Sequence, residues 1–322
     1  MSSGFPPSPT LQMSRPGASS RFLIEEAFAP STRARYQDAT QKFLAWVDDN
    51  EEDATSLDQL DELMTDYLHY LYEHNGSKSQ ATNTLFGLIM LMPTVRDHLP
   101  TTRLALRGWN RRHPPVSYPP LTWELTVAIA VQMARHGSLA QAVATVLAFD
   151  CYLRINEFCQ LRAEDVSSSQ DARLGREYTG VALRLRSTKT GPNQWVQVEH
   201  QAVRTLLLRL KSAARSPTQL LFGCTAAQYR RLFKSTCAEL GLSADYVPHS
   251  LRHGGATRDH LRGRNLEDIL MRGRWASTKS ARRYIQAGRA LLLATRVPEH
   301  LVALGSDLSR DLLLSFSLAQ TH

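Results

Sequence analysis

A chain of 322 residues is long enough for two domains that each bury a core of their own. With 43% apolar and 21% charged residues the composition is that of a globular protein, and no apolar run approaches the roughly 20 residues that cross a bilayer, which argues against a membrane span. Four scattered cysteines (Cys151, Cys159, Cys224 and Cys237) form no Cys-x-x-Cys pair and have no histidine at metal-ligand spacing. They read as reduced thiols of an intracellular protein rather than a disulfide or zinc framework.

The formal charge of +8 is concentrated. From His249 to Arg296 eleven Lys or Arg face only three acids, Asp259, Glu267 and Asp268, so this stretch accounts for the whole net charge. A basic segment in an otherwise neutral chain reads either as a polyanion-binding face or as a solvated helix surface. The opposite pole, Asp48 to Asp66, holds nine acids and no base and reads as a solvated loop and helix start.

Residues 1–20, rich in Ser, Pro and Gly and free of acids, read as a disordered tail rather than a signal peptide. Over 21–112 the spacing predicts a helical domain of four amphipathic helices. Ser31 can cap the first, with Tyr36, Phe43, Leu44 and Val47 on one face. The second starts near Leu57 and stops at Gly76, the third runs from about Lys78 to Met92, and the fourth covers about Thr101 to Arg112. In the fourth, Arg103, Arg107 and Arg111 form one basic ridge. Four prolines within residues 113–120 favour an extended linker.

A second domain is expected over 121–297, opening with helices near Thr122 to His136 and Ser138 to Tyr152. Val181, Leu183 and Leu185, then Trp195, Val196 and Val198, alternate on either side of Gly-Pro-Asn, which predicts a β-hairpin with Lys189 near its tip. A polar insertion lies around Ser167 to Arg176. The pattern is helical again from His200, and after Pro298 the apolar residues of Leu301 to Leu318 predict a C-terminal helix over 298–322. That helix either folds back on its own domain or leaves apolar residues exposed.

Pro248-His-Ser-Leu-Arg-His253 and Arg272-Gly-Arg-Trp-Ala-Ser-Thr-Lys-Ser-Ala-Arg-Arg-Tyr284 hold residues that suit phosphoryl chemistry, although each taken singly also reads as a packing or surface residue. On a helix His249, Arg252 and His253 share a face. Breaking a phosphodiester without a metal needs fixed positive charge on the nonbridging oxygens, which Arg154 and Arg252 can supply. Trp275 can donate its indole N–H, Tyr284 is the candidate nucleophile with a phenol pKa of ~10 in water, and His249 is its acid–base partner. Glu157, one turn from Arg154, suits orientation better than reaction. His253 falls outside this catalytic set, as a structural neighbour. No Gly-x-x-x-x-Gly-Lys loop and no clustered carboxylates are present, so neither nucleotide nor metal nor other cofactor is expected.

Taken together these boxes resemble the tyrosine recombinases and phage integrases. His249-x-x-Arg252, Trp275 after Gly273-Arg274, and Tyr284 nine residues later are similar to the family's C-terminal signature. Trp275 in place of the commoner second His resembles the Cre-type variant. Arg154-Ile-Asn-Glu157-Phe158 resembles Arg-x-x-Glu-Leu, and Lys189 matches the hairpin lysine. The resemblance implies a mainly α fold with a small β-hairpin or sheet: a helical core-binding domain joined to an α+β catalytic domain. It implies a site-specific recombinase working through a 3′-phosphotyrosine, with Lys189 protonating the leaving oxygen. Self-association as a dimer on each site and a tetramer in synapsis is implied as well. The expected location is with DNA, in a nucleus if the host is eukaryotic or a nucleoid if prokaryotic. Type IB topoisomerase-like relaxation, or a recombinase-derived DNA-binding protein without catalysis, are the alternative functions.

Overall fold

The computed structural model describes residues 26–114, 118–168, 180–188, 191–286, 288, 292 and 297–320. The N-terminal tail, most of the 167–176 insertion, Lys189 and Arg289 lie outside the described residues. The chain divides into two units, Met1–Val116 and Ser117–His322.

Among its described residues the first unit has four α-helices, α1 (Pro30–Asp49), α2 (Leu57–Glu73), α3 (Lys78–Leu91) and α4 (Pro100–Arg112), with a 3-10 turn at Pro93–Asp97 before the last. Helix α1 starts one residue before the expected Ser31 cap: Ala29 is the N-cap, no side chain caps it, and Pro30 takes the first position. Proline fits there because its missing N–H would have no partner anyway. Ser56 and Ser77 cap α2 and α3 by accepting from Gln59 N and Gln80 N. Phe43, Leu60, Met64, Leu85 and Leu88 meet in a core that excludes water. Arg103, Arg107 and Arg111 stand exposed along α4.

One residue of the acidic stretch is not solvated. Asp61 is 5% exposed and accepts from Thr101 N (2.8 Å), Thr102 N (2.9 Å) and Thr102 Oγ1 (2.7 Å). It closes the N-terminus of α4 from the side of α2, a favourable place for a carboxylate. Burial by itself would raise its pKa, but the hydrogen bonds from Thr102 and Thr101 outweigh this and hold it below the usual carboxylate range.

The second unit is built on α5 (Trp123–Arg135) and α6 (Leu139–Asp150), whose apolar residues Ile129, Met133, Val143 and Leu147 are fully enclosed. A short α7 (Ile155–Cys159) follows, then the antiparallel sheet β1 (Val166–Ser168), β2 (Val181–Thr188) and β3 (Gly191–Val198), ordered β1-β2-β3. Val181 pairs with Val198 and Leu183 with Val196, and this face enters the core. Trp195 pairs with Arg184 on the other face and is 48% exposed, so it is not part of the buried alternation. Thr188 pairs with Gly191, which places Gly-Pro-Asn inside β3 rather than at the turn. On the outer face the buried Asp165 holds both Arg184 and Arg186, at 3.0 and 2.8 Å.

Five helices surround this frame next: α8 (Gln201–Ser212), α9 (Ala226–Glu239), α10 (Pro248–Leu261), α11 (Leu266–Gly273) and α12 (Thr278–Arg282). In place of one C-terminal helix there are two, α13 (Glu299–Arg310) and α14 (Leu312–Leu318), broken at Asp311, whose side chain caps the second. They fold back on their own unit: Leu301, Leu312 and Phe316 are buried in its core. Gly305 lets α13 approach α5 so closely that a Cβ would lie 2.2 Å from the Glu124 carbonyl oxygen. All four cysteines are free thiols.

Candidate active site

Four of the expected residues converge at the N-terminal half of α10. Arg252 is fully buried, with its guanidinium 4.5 Å above the Trp275 ring and 5.1 Å from the Tyr284 ring. The Trp275 and Tyr284 rings are 4.7 Å apart, and His249 meets Tyr284 edge-on at 5.3 Å. The i, i+3, i+4 spacing of His249, Arg252 and His253 does put one face of α10 against this cluster.

Arg154 and Glu157 reach the cluster from the α7 end. Arg154 is the N-cap of α7, its N–H donating to Glu157 Oε2 (2.9 Å) and its Nη1 to Glu157 Oε1 (2.6 Å). Glu157 Oε2 also accepts from Arg274 Nη2 at 2.9 Å. One buried carboxylate thus holds two guanidiniums. Burial alone would raise the Glu157 pKa, yet the charge of Arg274, the Arg154 N–H and the Arg154 charge together keep it below the usual range.

Arg274 was passed over in sequence because it reads as part of a Gly-Arg turn before Trp275. It is 8% exposed, has φ 54 in the left-handed region, and donates to the carbonyls of Arg272 (3.1 Å) and Tyr152 (3.2 Å). Two more residues have no signal in their spacing. Arg272 is buried, with Nη2 on the Asp150 carbonyl at 2.6 Å. Tyr152 offers its carbonyl to Arg252 Nη1, while Arg252 Nη2 donates to Gly273 O at 2.5 Å. Thus, among the described residues, three of the basic residues counted between His249 and Arg296 are interior, which trims the basic face expected from charge alone.

His253 stands outside the expected catalytic set but inside the cluster. Its ring stacks on Tyr284 at 4.7 Å and its Nδ1 lies 2.8 Å from Gln286 Nε2. The Tyr284 carbonyl accepts from Thr257 Oγ1 at 3.1 Å, so the segment after α12 is fastened to α10. Lys211 on α8 donates to the Val166 carbonyl at 2.6 Å.

Electrostatics follow from three guanidiniums around one carboxylate. Burial, then Arg252 and Arg154, lower the His249 pKa to about 4, so the ring is neutral at pH 7. Burial, then Arg154 and Arg274, also pull the Arg252 pKa down, with Glu157 opposing. Buried donors here with no hydrogen-bond partner among the described residues include Arg252 Nε and Trp275 Nε1. Orphaned buried donors are costly and point to a missing acceptor.

Residues 126–290, just over half of the chain, match the phage integrase family. Among solved structures, a lambda integrase dimer bound to a COC′ core site is similar at 15% identity with a TM-score of 0.59, covering 83% of this chain and 92% of that one. The Tn1549 transposon integrase in complex with circular intermediate DNA is similar at 15% identity and a TM-score of 0.53, covering 74% and 85%. At such identities the likeness is one of fold. No curated protein matches in sequence. With the family matched across the α5 to α12 region that holds every described site residue, the chain belongs to the phage integrase family, the tyrosine recombinases.

Proposed function

We propose that the protein cuts and rejoins duplex DNA at a specific site through Tyr284, as a site-specific recombinase of the integrase type. The observation that carries this reading is the packing of a tyrosine ring against a buried arginine, a tryptophan and two histidines. Tyr284 Oη attacks phosphorus, the bond to the 5′ oxygen breaks, and a 3′-phosphotyrosine and a 5′-hydroxyl result. Neutral His249 takes the phenol proton, and Lys189 protonates the departing oxygen. Arg154 and Arg252 stabilise charge on the nonbridging oxygens, joined by the Trp275 N–H. The phosphotyrosine retains the bond energy, so religation by the 5′-hydroxyl reverses the steps.

Because Arg252 Nε and Trp275 Nε1 are buried beside the Tyr284 ring, the phosphate reaches them when that ring lifts away. Each Nη atom of Arg252 donates to one main-chain carbonyl, and its Nε N–H has no partner among the described residues.

Duplex DNA is the partner on this reading. The four-helix first unit serves as core-binding domain, with Arg103, Arg107 and Arg111 along phosphates. The lambda integrase structure is a dimer on its core site, and self-association as a dimer per site and a tetramer in synapsis is read for this chain by analogy. The test is covalent trapping: wild type and Tyr284→Phe are incubated with nicked duplexes of varied sequence in EDTA, denatured, and weighed. A Tyr284-dependent adduct supports the reading, and its absence across a site library refutes it. Relaxation of supercoiled plasmid without a preferred site would instead indicate topoisomerase activity.

A further inference from the structure

Tyr152 adopts φ +50, left-handed backbone that an aromatic residue takes at a cost, immediately before the Leu153-Arg154 segment. We propose that Tyr152 is a positioning residue for strand cleavage, its left-handed turn aiming its carbonyl at the guanidiniums of Arg252 and Arg274. This rests on the catalytic reading given above.

The geometry is convergent. One main-chain oxygen accepts from Arg252 Nη1 and from Arg274 Nη2. With Gly273 O on Nη2, the plane of the Arg252 guanidinium is set by two backbone carbonyls, and that plane presents the cation to Trp275 and Tyr284. Rotating the 152 peptide into an ordinary conformation would take the acceptor away from both buried arginines at once.

The side chain overdetermines the turn. Its ring is 1% exposed and stacks against Trp275 at 6.0 Å and 27°. Its hydroxyl donates to Asp259, two turns along α10 from Arg252. Strain held by its surroundings next to reacting groups is where backbone geometry serves function. Arg274, the other partner, is itself left-handed at φ 54, so two strained residues from separate segments meet at one oxygen.

The experiment uses the full chain carrying Tyr152→Ala, Tyr152→Gly or Tyr152→Phe. It measures single-turnover adduct formation, affinity for a nonspecific duplex and crystal structures of the variants. Tyr152→Ala should slow cleavage at least about tenfold with DNA affinity unchanged within about twofold. Tyr152→Gly should recover most of the rate although it removes the whole side chain, because glycine takes the left-handed conformation freely. Tyr152→Phe should stay within about threefold of wild type, having kept ring and turn. A glycine variant as slow as alanine, or an alanine variant as fast as wild type, overturns the proposal.

Should the alanine variant not fold, glycine against phenylalanine decides by the same margins. If wild type itself forms no adduct, the catalytic reading fails. The crystal structures then decide the positioning claim: Arg252 Nη1 kept on the 152 carbonyl with glycine and lost with alanine supports it, and identical placement in all variants overturns it.

Discussion

Replacing Glu157 by glutamine removes the one negative charge among Arg154, Arg252 and Arg274. The carboxylate makes contacts of 2.6 Å to Arg154 and 2.9 Å to Arg274, and accepts the Arg154 N–H at 2.9 Å. At an effective dielectric near 20, each charge pair at ~4 Å is worth ~4 kcal/mol, against several kcal/mol of desolvation per ion. Glutamine keeps one acceptor for the Arg154 N–H but turns an NH2 toward a guanidinium. Breaking such a pair from one side costs ~3–5 kcal/mol. In a unit the size of Ser117–His322, that corresponds to a fall in Tm of about 10 °C. Thermal unfolding followed by circular dichroism measures it. The pH dependence supplies the sign: the Glu157 pKa is depressed in the folded state. Its stabilisation is therefore complete above the unfolded carboxyl value of ~4.3 and lost as pH falls through the lower folded value. The gap between wild type and Glu157→Gln should be full at pH 7 and narrow only below ~4.3. A gap under ~1 kcal/mol at pH 7, the size of an exposed pair, would refute the claim that this carboxylate organises the arginines.

Four further outcomes are expected. Trp275→Phe keeps an aromatic ring and removes the N–H, so adduct formation should fall at least about tenfold while DNA affinity holds; parallel losses would contradict a donor role. His249, with its pKa near about 4 from burial and the charges of Arg252 and Arg154, should give the cleavage rate an acid limb at that pH. A limb near ~6.5, the ordinary histidine value, would show that the ring is not shielded in this way. Asp61→Ala removes hydrogen bonds to the first turn of α4 and should destabilise the first unit by about 3 kcal/mol in denaturant unfolding. The depressed Asp61 pKa makes that difference present above ~3.9 and lost as pH falls through its folded value. Gly305→Ala should push α13 off α5 and speed tryptic cleavage at Arg310; an unchanged digestion pattern would refute tight packing there.

The helices, the sheet and the gathering of Arg154, Glu157, His249, Arg252, Trp275 and Tyr284 were legible because each has a local signature, period or box. What escaped depends on contacts distant in sequence. Arg272 and Arg274 count as surface charge in any linear tally, yet they are interior because the carbonyls of residues 150–152 and the carboxylates of Glu157 and Asp150 receive them. Asp61 looks like one acid among nine until the start of α4 arrives over it. Gly-Pro-Asn attracts a turn reading because its residues punctuate chains, but the Val181–Val198 and Leu183–Val196 pairs set the register and put the three inside β3. The break at Asp311 was hidden in a continuous apolar pattern, since a capping aspartate is common on an exposed helix face too.

Thr257 clasps the Tyr284 carbonyl from the same helix that carries His249 and Arg252. Tyr284 is therefore fastened to the helix that carries His249 and Arg252. On the function proposed above, severing a strand is then a unimolecular act of a bound protomer. Concentration should set the ratio of exchanged to resealed strands and leave the pace of cutting per bound chain unchanged.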